Sequence, residues 1–230
     1  MFKIKEQITN YLKNNDSLIT HIASFVYNLI GLNKLKVRKG NEFRYSGSYF
    51  KKCSILLRGK DNNINIGTRN VFQNGYIYIS GNNNKITIGN RNYFNNVTLW
   101  IEDDNNEIYI GEHNSFLGSA HIAVIEGTKV EIGNNCMFST DVTFRTGDSH
   151  SIINVHSGKR INPSKSIKIG NHVWFGHKST VLKGVIILDN SIVATSSVVT
   201  KSFLDSGGII LGGNPAKIIQ DDINWDSHRI

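Results

Sequence analysis

The stretch Ile88–Phe138, "IGNRNYFNNVTLWIEDDNNEIYIGEHNSFLGSAHIAVIEGTKVEIGNNCMF", says the same thing three times. Ile88-Gly89, Ile110-Gly111 and Ile132-Gly133 recur at steps of 22, and six residues after each isoleucine stands Phe94, Phe116 or Phe138. Outward from it, Ile66-Gly67 with Phe72 lies one step of 22 upstream. Ile169-Gly170 with Phe175 arrives only after 37 residues. A finer beat of six runs inside the repeat: Ile110, Phe116, Ile122; Ile132, Phe138, Phe144; then Ile169, Phe175, Val181, Ile187, Val193, Val199.

Neither the helical period nor plain strand alternation produces a six. A coil of three short flat strands does: one apolar side chain per strand points inward and stacks on the same position of the next coil. Such a solenoid buries a continuous core only when several coils stack, and its ends need caps. The 22-residue repeats read as 18 residues of coil plus a four-residue excursion. Asn70, Asn92 and Asn114, each four residues after the isoleucine, are expected to form a ladder at a corner, where the backbone often needs positive φ. Cys136 takes the next place in that series and reads as a packed residue rather than a nucleophile. The position three after the isoleucine holds Arg69, Arg91, His113, Asn135 and His172, so it reads as a solvent-facing corner.

The predicted organisation is a basic, partly helical N-terminal cap over residues 1–60, a β-helix over 61–201, and a tail over 202–230. In the cap, Leu18, Ile22, Phe25, Val26 and Leu29 share one helical face, which is expected to cover the first coils. A helix lying on a membrane is the alternative. Residues 1–60 hold 12 Lys/Arg against 3 Asp/Glu, whereas the remaining residues hold 14 against 15, so the net charge of +8 belongs to the N-terminal quarter. That quarter suits a polyanionic partner or an anionic membrane surface. Basic residues are not interleaved with base-stacking aromatics, so no nucleic-acid partner is expected. Two cysteines cannot build a disulfide framework. No secretory leader or membrane span is read, so a cytoplasmic location, at the inner face of the membrane, is expected.

The repeat breaks once. Between Phe144 and Ser166 lies "RTGDSHSIINVHSGKRINPSK", an excursion at 145–165. A long insertion in a tight solenoid is usually functional. His150 comes six residues after Phe144, where the next inward residue was due, and close to the rigid coil, where catalytic geometry is best held.

"DSHSI" (148–152), "GKRIN" (158–162), "IGNHVWFG" (169–176) and "GNPAK" (213–217) together resemble the hexapeptide-repeat acyltransferases, in particular the branch that O-acetylates bacterial capsule, polysialic acid or O-antigen. The resemblance covers roughly residues 130–220. It implies a left-handed parallel β-helix, a homotrimer with active sites at subunit interfaces, and transfer of acetyl from acetyl-CoA to a sugar hydroxyl. It implies His150 as general base, joined by Trp174, which should point outward because it precedes the inward Phe175. It further implies coenzyme contacts from Trp174, Gly176, Thr195, Thr200, Lys201 and Lys217. Asp141, Arg145, Asp148, Lys159 and Arg160 are candidate contacts to a saccharide acceptor, polyanionic in kind. Asp148, Asp141 or a backbone carbonyl would each serve to hold the second nitrogen of His150. No metal is expected.

Three other readings stay open on the residues: an acetyltransferase of a small acceptor, a non-catalytic glycan-binding β-helix, and a zinc hydratase drawing on His150, His172 and His177.

Overall fold

Each residue of the six-beat is buried on the inward slot of a short strand. The computed structural model describes residues 18–204 and 207–228. Three sheets form the walls. The first has eight strands, from Lys34–Val37 to Val198–Val199; the second has seven, from Glu42–Tyr45 to Ile186–Ile187; the third has nine, from Tyr49–Lys51 to Ile210–Gly213 with Ala216–Gln220 closing it. Ala216–Gln220 pairs antiparallel and ends the stack. The other ladders are parallel, with Phe72 facing Phe94, Phe116 facing Phe138, and Phe138 facing Phe175. Phe50, Phe72, Phe94, Phe116, Phe138 and Phe175 stack ring on ring, with centroid spacings from 4.0 to 5.0 Å. Each such ring contributes about 1.5–3 kcal/mol of burial free energy.

The corners follow from the side chains the sequence places there. Arg69, Arg91, His113, Asn135 and His172 all adopt left-handed backbone, with φ of 59°, 59°, 58°, 57° and 55°. The expectation of a solvent-facing corner fails for Arg69, which is 6% exposed. At His172 the corner is half-buried: the Trp225 indole stacks on one face of the ring, 4.1 Å away between centroids. Next to this corner the asparagine ladder forms as expected: Asn92 Nδ2 donates to Asn70 Oδ1 at 3.0 Å, and the Asn114 backbone donates to Asn92 Oδ1 at 2.8 Å. A second buried ladder, Asn62, Asn84 and Asn106, runs up the edge between the first and second sheets. The four-residue excursions of the 22-residue coils lie at this edge, and so does the long excursion.

Two boundaries differ from the expectation. The ladders begin at Lys34, not at residue 61, because the strands Lys34–Val37, Glu42–Tyr45 and Tyr49–Lys51 already form a coil without the Ile-Gly signature. They also run past residue 201, since Ile210–Gly213 extends the third sheet in parallel.

The helix α1, Leu18–Ile30, does meet the first coil, but with the opposite face from the one expected. Asn28 donates Nδ2 to the Ser48 carbonyl at 2.9 Å and accepts from the Phe50 amide at 2.7 Å, and Tyr27 packs edge-on against Tyr49. These bonds satisfy the open end of the third sheet, which an apolar face could not do. Ile22, Phe25 and Leu29 are left 56%, 58% and 70% exposed. The cap residues before 18 lie outside the described residues. Among the described residues no helix is long and apolar enough to cross a membrane.

Candidate active site

The first sheet delivers its strand Val142–Arg145 to the inserted edge, and there the chain leaves the coil. Thr146, fully buried, is the gatepost. Its carbonyl accepts the Lys165 amide at 2.9 Å, closing the neck of the excursion, and its hydroxyl accepts the Ile125 amide at 3.1 Å. Between these points the chain is an ordered hairpin. The Ile161 amide donates to the Ile152 carbonyl, Ile153 bridges Arg160, and the Asn154 amide donates to the Lys159 carbonyl.

Asn162 pins this hairpin. It is 6% exposed, and its amide nitrogen donates both to Asp148 Oδ2 and to the His150 carbonyl, each at 2.8 Å. Its amide oxygen accepts the Ile152 backbone at 2.7 Å and Arg160 Nε at 3.1 Å. Asp148 is ion-paired with Lys183, and this bond, followed by the one from Asn162, holds its carboxyl below the usual carboxylate range. Arg160 also bridges to Glu126 at 2.7 Å and pulls that carboxyl down in turn. The hairpin is thus held from within by Asn162 and tied to the coils through Lys183 and Glu126.

His150 sits at the start of this structure with its side chain exposed. Among the described residues none hydrogen-bonds its imidazole. Asp148 is the nearest acid in sequence, but its carboxylate is taken by Lys183 and Asn162, so it steadies the loop instead of orienting the ring. Asp141 stands at another corner with φ of 60°, and makes no bond to His150. Arg145 lies at the hairpin root and donates to Ser149 Oγ at 3.1 Å. Lys159 is at the hairpin tip, exposed.

Trp174 points outward, as its place before Phe175 requires, from the third sheet. Its neighbour is Trp225, 6.1 Å between centroids, whose indole nitrogen donates to the His172 carbonyl at 2.8 Å. Within one chain the third-sheet face carrying Trp174 is not the edge carrying His150. Gly176 lies over the next coil: a Cβ there would come within 2.6 Å of the Thr195 amide, so coil closure itself demands glycine. Thr195, Thr200, Lys201 and Lys217 are exposed along the last coils, with Lys217 opposite Gly212 in the closing antiparallel pair.

Sequence reasoning missed several polar groups. Asn162 and Lys183 have no period to betray them, since their partners come from separate segments. Trp225 lies in a tail without repeat. His121, beside the core residue Ile122, is half-buried on the outer face of the first sheet. Burial, and then the Arg145 charge, hold its pKa below the ordinary histidine value. His177, at another corner, presents Nδ1 to the Thr140 carbonyl at 3.1 Å and to the Thr140 hydroxyl. Cys136 is confirmed as a packed residue: burial pushes its thiol up to about 12, and its Sγ donates to the Gly170 carbonyl at 3.3 Å. Among the described residues no cluster of three His, Cys, Asp or Glu could hold a metal.

The fold defines a class: a left-handed parallel β-helix built like those of the hexapeptide-repeat acetyltransferases. Within that class the chain is similar to polysialic acid O-acetyltransferases. It is 36% identical over 109 residues to the one from Escherichia coli O1:K1, covering 47% of this chain and 35% of that protein. It is 41% identical over 68 residues to the one from Neisseria meningitidis, covering 30% of this chain and 32% of that protein. The matched segments thus span about a third of these curated relatives. The solved polysialic acid O-acetyltransferase OatWY matches with a TM-score of 0.74 at 28% identity, over 86% of this chain and 89% of that one. No family model matches the chain.

Proposed function

We propose that the protein is an O-acetyltransferase that moves acetyl from acetyl-CoA to a hydroxyl of a bacterial surface polysaccharide of acidic, sialic-acid type. One observation carries the reading. A pinned hairpin presents an imidazole that has no hydrogen-bond partner among the described residues, at the edge of a β-helix that is similar to OatWY over 86% of this chain.

A sugar hydroxyl is a weak nucleophile at neutral pH. His150 takes its proton as the oxygen attacks the thioester carbonyl carbon. The C–S bond then breaks, and the departing sulfur takes that proton from the imidazolium. A positioned imidazole with pKa near 7 contributes roughly 10²–10⁴-fold to such a step. The oxyanion that forms on the way needs N–H donors, and the corner amides of the coils are the available supply. Acetyl-CoA runs along the last coils, held by Trp174, the backbone at Gly176 and Thr195, and Thr200, with Lys201 and Lys217 toward its phosphates. The exposed lysines fit a phosphate ligand as point charges. Because His150 and Trp174 occupy different faces of one chain, the working unit is a homotrimer in which His150 meets Trp174 of a neighbouring subunit. The location is cytoplasmic, with the uncovered apolar face of α1 beside Lys34 and Lys36 resting on the anionic inner face of the membrane.

His150→Ala is expected to abolish thiol release from acetyl-CoA with oligosialic acid as acceptor, while the oligomer stays intact by light scattering. Near-normal activity in that variant rules out the base assignment. Mass spectrometry of the glycan after incubation tests the acceptor.

A further inference from the structure

A cleft of about 290 Å³ lies between the outer face of the first sheet and the root of the excursion. It is made by the ladder itself. In one outward column Trp100 pairs with Ala123, and Ala123 with Arg145. Neighbouring strands lie about 4.8 Å apart, so indole and guanidinium spring from backbones roughly 10 Å apart, with only a methyl group between them. Ala123 is the floor, Trp100 and Arg145 are the two walls, and Gly147 with Ser149 closes the side next to His150. A Cβ on Gly147 would run into Ser164 Oγ and lie 2.5 Å from Ile125 Cδ1, so a side chain there requires both to shift.

The lining has the chemistry of a site rather than of a packing flaw. Trp100 is backed by Tyr78, stacked at 4.1 Å, which fixes the indole while its other side faces the cleft. Arg145 donates to the neutral Ser149 hydroxyl and, among the described residues, has no carboxylate partner. Glu102 also lines the cleft but is not ion-paired with it. His121, in the adjacent column, adds a ring nitrogen at the cleft wall.

We infer that this cleft is an acceptor subsite for one carboxylate-bearing sugar unit, with the ring lying against Trp100 and the carboxylate on Arg145. The inference rests on the glycan O-acetyltransferase reading and says where on the chain the acceptor sits. Small-molecule sites usually begin at about 300 Å³, so the space suits a single unit and not a longer run of chain. The planar fork of arginine matches a carboxylate through two parallel bonds, and indole offers a rigid apolar face at low entropic cost. Ser149 joins the subsite directly to the residue that carries the base.

The test measures binding without turnover, in the absence of acetyl-CoA. Fluorescent oligosialic acid and the same oligomer with its carboxyl groups reduced to alcohols are titrated against wild type, Arg145→Gln, Arg145→Lys and Trp100→Ala. The inference predicts that Arg145→Gln weakens the acidic probe at least tenfold and leaves the reduced probe within twofold. Arg145→Lys recovers part of the loss, and Trp100→Ala weakens both probes at least fivefold. Circular dichroism and light scattering on each variant separate a lost site from a lost fold; both changes are on an outer face. Acidic-probe binding that is unchanged in Arg145→Gln and Trp100→Ala, or that falls equally for both probes in Arg145→Gln, overturns the subsite. If wild type binds through these residues but transfers no acetyl to any glycan, the subsite stands and the enzymatic reading falls.

Discussion

Asn162 shows how much of the site rests on one side chain that touches no reactant. It holds Asp148, the His150 carbonyl, the Ile152 amide and Arg160 at once, from a position only 6% exposed. Asn162→Ala removes four bonds and leaves the Ile152 amide without its partner. It is expected to lower kcat at least tenfold and to cost about 1–3 kcal/mol of stability, with acetyl-CoA binding nearly unchanged. Steady-state kinetics beside a denaturation curve checks this, and a normal kcat would show that the hairpin does not position the base. The two carboxylates of the same network set its acid limit. Asp148 and Glu126 are both held below their ordinary values of 3.8 and 4.5. A carboxyl depressed in the folded state stabilises it above the unfolded pKa, and that stabilisation is lost as pH falls through the folded pKa. Both groups are well solvated, so the effect belongs to the hairpin and not to global stability. Below about pH 4, hydrogen exchange is expected to rise at residues 148–162 before it rises in the coils; simultaneous loss would contradict the local role. Of all this the sequence displays His150, because a histidine stands where an inward apolar residue was due, and with it the charged candidates Asp148 and Arg160. Asn162 breaks none.

Among elements, legibility tracked repetition. The coils were readable because the same inward slot is filled by Phe72, Phe94, Phe116, Phe138 and Phe175 in turn. The first coil escaped because Phe50 stands in that slot without an Ile-Gly pair before it. The second asparagine ladder escaped because its members fall in what periodicity marks as excursion. In α1 the apolar pattern is present but does not face the coils. The apolar stripe exists, but the end of a parallel sheet asks for hydrogen bonds, and Asn28 meets that need from the other face. What remains is an exposed stripe beside exposed Lys34 and Lys36, and on it rests the proposal that this end meets an anionic bilayer. Cosedimentation is expected with vesicles containing phosphatidylglycerol and not with phosphatidylcholine alone. Phe25→Asp combined with Leu29→Asp is expected to abolish it without lowering catalysis on a soluble acceptor. Equal sedimentation of the double variant would show that lysines alone suffice, and no sedimentation of wild type would remove the membrane from the picture.

At the scale of the whole molecule, charge and fold are segregated. Residues 1–60 carry 12 Lys/Arg against 3 Asp/Glu, whereas residues 61–230, which hold most of the coils, carry 14 against 15. Among the described residues, 18–60 hold nine Lys/Arg against Glu42 alone. A β-helix is long and stiff, so these put a positive field on the first coils, away from the last coils, where we propose that the coenzyme binds. A polyanionic acceptor would feel that field along its length; a coenzyme held by local contacts would feel it little. Screening at physiological ionic strength acts over about 8 Å, so long-range attraction is what salt removes first. Between 50 and 300 mM salt, the acceptor KM is therefore expected to rise severalfold while the acetyl-CoA KM changes by less than twofold. Replacing Lys34, Lys36 and Lys39 together by glutamine should flatten the acceptor curve and leave kcat in place. Parallel salt curves for both substrates would mean that the basic end plays no part in acceptor capture, and would return those lysines to the role of a solvated cap.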